Sequence, residues 1–220
     1  MATPLDLQEQ EQVDALKAFW TRYGNLITWV LILVLGGFAA WNGWQLYQRK
    51  QAEQAGAMFD ELDRAAAAAD LEKVARVLAD LKDRHARTVY AQQAGLVAAK
   101  VQLDKGKADD ARATLAWVAD NGRHEGLAAL ARLRLAGVLL DAKKYDEALA
   151  QLEPSRLGAF AALGADRRGD VLLAQGRSED ARAAYQAAWK EMPESLDYRR
   201  LVEAKLTALG VSPAASGAAK

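Results

Sequence analysis

The 220-residue chain has no cysteine, four prolines and two histidines. Without cysteine there are no disulfides, no thiolate metal sites and no thiol nucleophile. With so little proline, helices meet few breaks. The histidines, His85 and His124, fall in no ligand or triad spacing, and both read as solvent-exposed residues of inter-helix turns. Charge of one sign is also missing. Lysine and arginine total 29, as do aspartate and glutamate, so the basic excess of a nucleic-acid binder is absent. Strand signals are lacking, and no glycine-rich phosphate loop, HExxH or GxSxG occurs. The acidic pairs Asp109-Asp110 and Glu179-Asp180 read as first-turn charges that suit the positive end of a helix dipole, not as a metal site.

What is abundant is alanine, 48 residues, the best helix former. The mean hydropathy of −0.17 averages two unlike parts. Residues 26–44, LITWVLILVLGGFAAWNGW, carry no charge. As a helix they span about 28 Å, close to a bilayer's hydrocarbon thickness. Trp20 and Tyr23 precede the run and Trp41, Trp44 and Tyr47 close it, the aromatic belts of a membrane span. A cleaved signal peptide opens on a short basic region. Here 25 residues with four acidic side chains come first, which favours an uncleaved anchor. The flanking charges tie, Lys17 and Arg22 against Arg49 and Lys50, so they do not orient it. The short amino-terminal tail most simply stays in the cytoplasm. Gly36 and Ala40, and Ala39 and Gly43, repeat small residues at a four-residue spacing. With Asn42 they form a candidate interface to a partner helix.

Beyond the run, apolar stripes recur at i, i+3, i+4 and i+7. They are Ala108, Ala111, Leu115, Val118; Tyr145, Ala148, Leu149, Leu152; and Ala181, Ala184, Tyr185, Ala188. Two-residue breaks precede them at Gly106-Lys107, Lys143-Lys144 and Gly176-Arg177, and Asp70 marks an earlier one. Small residues opening the second helices, Ala75, Ala111, Ala148 and Ala181, follow at intervals of 36, 37 and 33 residues. Helix pairs near this period resemble tetratricopeptide repeats. Gly169, Gly176, Ala181, Tyr185, Ala188 and Pro193 match that motif, as do Ala136, Tyr145, Ala148 and Leu152, and Ala99, Gly106, Ala111, Leu115 and Val118. The first pair matches weakly.

The expected fold is all-α. It comprises a tail over 1–25, a transmembrane helix over 26–46, and a solenoid of about four helical hairpins over 47–210. A terminal helix over 195–209, with Leu196, Leu201, Leu206 and Leu209, caps the array, and residues 211–220 form a disordered tail. Solenoids bind other proteins along a concave face. By resemblance to tetratricopeptide domains the first helix of each pair lines it, which nominates Gln93, Lys100, Asp104, Leu133, Leu140, Asp166, Asp170 and Leu173.

The segment EQEQVDALKAFWTRYGN, the span and the repeats together resemble the YfgM-like ancillary subunits of the SecYEG translocon. That resemblance implies an inner-membrane protein with a cytoplasmic amino terminus and a periplasmic repeat domain. It would link translocon and exported polypeptides to periplasmic chaperones, without catalytic residues, cofactor or metal. The competing readings are a scaffold of another envelope pathway such as cytochrome c maturation, an unrecognised envelope enzyme, and an array released by cleavage.

Overall fold

A computed structural model describes residues 7–211, with side chains from residue 11 onward. The expected carboxy-terminal tail lies almost wholly outside the described residues, as do the first six residues of the amino-terminal one. Among the described residues there are nine α-helices, two 3₁₀ turns and no strand. The helices are α1 (Leu7–Ala67), α2 (Leu71–Arg84), α3 (Val89–Asp104), α4 (Ala108–Asn121) and α5 (Glu125–Asp141). They continue with α6 (Tyr145–Gln151), α7 (Ala161–Ala174), α8 (Ser178–Glu191) and α9 (Arg199–Ala208). The chain divides into two units, up to Lys50 and from Gln51.

In the first unit, α1 contains a stretch long and apolar enough to cross a membrane, with a mean hydropathy of 1.8 over 18 residues. Its large apolar side chains, among them Leu26, Trp29, Leu33 and Phe38, are exposed. The polar groups of the stretch turn back on the helix. Thr28 Oγ1 donates to Gly24 O at 2.8 Å, and Asn42 Nδ2 to Phe38 O at 2.9 Å.

The second unit is four helical hairpins and a cap. The end of α1 pairs with α2, α3 with α4, α5 with α6, and α7 with α8; α9 closes the array. Each pair turns through one residue of positive φ: Ala69 (54°), Gly106 (72°), Lys143 (58°) and Gly176 (78°). At every turn the next amide reaches back over the helix end, Asp70 N to Ala65 O, Lys107 N to Gln102 O, Lys144 N to Leu139 O and Arg177 N to Leu172 O, at 2.7–3.0 Å. This left-handed closure satisfies carbonyls that a helix end leaves open. Two of the four turns use a residue with a Cβ, which pays a steric cost there.

The packing repeats in step with these turns. Five residues on lie Val74, Ala111, Ala148 and Ala181, all fully buried. Nine residues on lie the fillers Leu78, Leu115, Leu152 and Tyr185. The turn-to-turn intervals are 37, 37 and 33 residues. The first hairpin is thus shifted by one from the sequence expectation: Val74 is buried and Ala75 exposed. The larger valine at the small position explains its weak match.

Close approach is clearest in the last hairpin. A Cβ on Gly169 would clash with the Tyr185 ring, 2.6 Å from Cδ1. The sister hairpins place alanine (Ala99, Ala136) and leucine (Leu115, Leu152) at the equivalent positions, all buried. The core runs without interruption along the array. Trp117 packs against both the first and middle clusters, and Leu149 against both the middle and last.

One helix is short, and two local expectations are corrected. Helix α6 stops at Gln151, because Pro154 opens a 3₁₀ turn over Pro154–Arg156 and holds Glu153 extended. His85 is buried, 7% exposed: it ends α2, its N–H bonds Leu81 O, and its Nδ1 faces Gln51 Oε1 at 2.5 Å. His124 is exposed as expected. The capping helix starts at Arg199 and is held by Val202 and Leu206, while Leu196 and Leu201 stay exposed.

Chemical denaturation tests these turns and this contact. Lys143→Gly relieves a left-handed side chain and raises stability by about 1 kcal/mol, and Gly176→Ala lowers it by a similar amount. Gly169→Ala costs about 2 kcal/mol through overpacking. Adding Tyr185→Leu, which recreates the alanine–leucine pair of the sister hairpins, loses less than the two single changes summed.

Candidate functional site

The first helices of the first three hairpins border an open cleft of about 690 Å³. Its floor is apolar: Phe59 from α1 and Leu96, Val97 and Val101 from α3. Ala66, Ala67 and Ala69 form one wall, and their short side chains keep it wide. Three of the nominated residues, Gln93, Lys100 and Asp104, meet here. They follow one another by seven and four positions on α3, so they share a face. Lys100 Nζ binds Asp104 Oδ2 at 2.8 Å. Asp63 stands on the α1 wall, and Lys105 and Arg134 complete the lining.

The other nominated residues lie elsewhere. Leu133 and Leu140 pack against the middle core. The cleft-facing residue of α5 is Arg134, next to Leu133 in the sequence. Leu173 is 41% exposed and does not line the cleft. The cleft also takes Leu96, Val97, Val101 and Lys105 from α3 and its end, and Phe59, Asp63 and the alanines on its other side, none of which the spacing nominates. Phe59, Asp63 and the alanines belong to the end of α1 and its turn, whose alanine run has no apolar periodicity to mark a face.

Asp166 and Asp170 are corrections of a different kind, since they are committed to the fold. Asp166 is 1% exposed. Lys205 Nζ of α9 sits 2.8 and 2.9 Å from its two carboxylate oxygens and 2.7 Å from Asp170 Oδ1. Tyr198 Oη donates to Asp166 Oδ2 at 2.8 Å and Tyr185 Oη to Asp170 Oδ1 at 2.7 Å. The ammonium also lies 5.2 Å from the centre of the Tyr185 ring. Burial, then these carboxylates, push both phenols up; Tyr198 reaches about 12. Tyr198 therefore lends stability that is whole below its ordinary value of 10.0 and lost as pH rises through about 12.

A buried cation ties neighbouring hairpins. Arg132 Nη2 donates to Ala119 O at 2.6 Å, capping the end of α4, and Nη1 donates to Gln151 Oε1 of α6 at 3.1 Å. On α1, Gly36, Ala39, Ala40, Asn42 and Gly43 are all exposed. Cβ atoms built on Gly36 and Gly43 would meet open space. Among the described residues no three histidine, aspartate or glutamate side chains are grouped to hold a metal ion.

Lys205→Met strands two carboxylates and costs about 2–3 kcal/mol, below the fully buried case because the lysine keeps some solvent contact. Limited proteolysis reads it separately from global unfolding: cleavage after α8 accelerates while the first three hairpins stay protected.

A family model for the tetratricopeptide repeat-like domain matches residues 17–211. The chain is 34% identical over 207 residues to an ancillary SecYEG translocon subunit of Neisseria gonorrhoeae, covering 92% of this chain and 98% of that one. It is 29% identical over 182 residues to proteins of the same name from Haemophilus influenzae and Escherichia coli. Those matches cover 83% of this chain and 89% and 87% of theirs. With the repeat architecture and the apolar helix ahead of it, these full-length matches identify the chain as a member of the ancillary SecYEG translocon subunit family.

Proposed function

We propose that the protein is a single-pass subunit of the bacterial inner membrane that works beside the Sec translocon. Residues 26–46 cross the bilayer, the amino terminus is cytoplasmic, and the repeat domain stands in the periplasm. There it acts as a non-catalytic adaptor that brings emerging exported polypeptides to periplasmic chaperones. The observation that carries the reading is the near-complete alignment with relatives named as ancillary SecYEG translocon subunits, anchor and repeats together. Two features support it physically. The span exposes its apolar side chains all round, as a lipid-facing helix does. The array carries an open cleft with an apolar floor, the kind of surface that receives segments of other proteins.

The face of Gly36, Ala39, Ala40, Asn42 and Gly43 serves on this reading as the contact to a membrane partner. Cross-linking in native membranes, followed by purification of the protein, recovers translocon components and periplasmic chaperones. A phosphatase reporter that is active only outside the cytoplasm is active when fused after Lys220. Recovery of haem-ligation components in their place, or an inactive reporter, refutes the proposal.

A further inference from the structure

The cleft holds a charge pattern that specifies its occupant more closely than the adaptor reading does. Its volume of about 690 Å³ falls within the roughly 300–1,000 Å³ of sites that enclose a small ligand or a few side chains. The floor of Phe59, Leu96, Val97 and Val101 favours apolar groups. Around it the charges are unevenly used. Asp104 is neutralised by Lys100 at 2.8 Å. Lys105 and Arg134 have no ion pair among the described residues, and Arg134 makes one long bond, Nη1 to Leu96 O at 3.4 Å. Both cations border the α3–α5 side, while Asp63 stands on the α1 side. A carboxylate entering the cleft is attracted to one side and repelled from the other, so it has a direction as well as a site. Gln93 adds an amide, donor and acceptor at once, beside the apolar floor. An extended backbone has open N–H and C=O groups to meet it, whereas a helix has none to spare.

We infer that the cleft binds an extended apolar segment of another polypeptide that carries carboxylate side chains beside its apolar stretch. The carboxylates are held by Lys105 and Arg134. This rests on the adaptor reading and names the class of segment that the adaptor receives.

The test uses the full chain in lipid nanodiscs and fluorescence anisotropy. The probe is a short, labelled, carboxy-amidated peptide of valine and leucine ending in aspartates; its twin ends in lysines. The aspartate peptide binds about tenfold more tightly than its twin. Lys105→Glu with Arg134→Glu, both at exposed positions, reverses that order. Ala67→Trp, a filling change at an exposed position on the cleft wall, weakens both peptides and leaves the unfolding midpoint in place. Equal binding of the twins, an order unchanged by the double reversal, or no saturable binding overturns the inference. So does a wild-type dimer that Ala67→Trp dissociates, because the occupant is then a second copy. Translocon cross-links that persist while the twins bind equally remove this inference alone; their absence removes the adaptor reading.

Discussion

Four times along the array a helix ends because one residue crosses into the left-handed region, and the rest of each hairpin is counted from that residue. At Gly106 and Gly176 the conformation carries little cost, while at Ala69 and Lys143 the chain accepts a Cβ in a place that disfavours it. In all four, the amide after the turn reaches back to the preceding helix. This sets the reversal angle, and with it which side chains of the two helices face each other. The buried positions five and nine residues later follow from that geometry. So does the meeting of Gly169 with Tyr185.

The turns at Gly106, Lys143 and Gly176 were legible because apolar periodicity on both sides framed a short polar break. The first hairpin was harder to phase. The alanines at 65–69 are small, uniform and without a stripe, so Val74 lost its place to Ala75. In α6 the stripe of Tyr145, Ala148, Leu149 and Leu152 faces the core as its spacing implies, with Leu152 capping the short helix. Within the cleft, Gln93, Lys100 and Asp104 share a face by spacing alone. Asp166 and Asp170 share one too, yet their partners Tyr198 and Lys205 are 32–39 residues away. No local pattern declares where a terminal helix will dock, so charges that looked solvent-facing proved to be its anchorage. His85 is buried for a similar reason: its partner Gln51 is 34 residues distant, which no local pattern declares.

Charge is used in opposite ways in the last hairpin and in the cleft. Under the cap, one lysine, two aspartates and two tyrosines satisfy one another around the buried carboxylate of Asp166. That arrangement fixes where α9 sits, since a displaced Lys205 leaves two carboxylates facing each other. On the α3–α5 side of the cleft, cations stand at the surface without a counter-charge, above an apolar floor. The two regions are linked by one continuous core through Trp117 and Leu149. Rigidity is thus concentrated where the array must be closed, and unused charge where it is open.

The shortened α6 has a consequence for how such an array tolerates change. Between the third and fourth turns the chain is four residues shorter than between the others, about one helical turn. The missing cover is supplied by Leu157, a fully buried residue between two 3₁₀ turns, whose side chain occupies the space a Cβ on Gly164 would need. One irregular joint therefore absorbs the whole difference in length, and the hairpins on either side keep their own register. A change in chain length at this joint stays local, in the manner of an expansion gap in a rigid track. The module can vary there without asking its neighbours to refit.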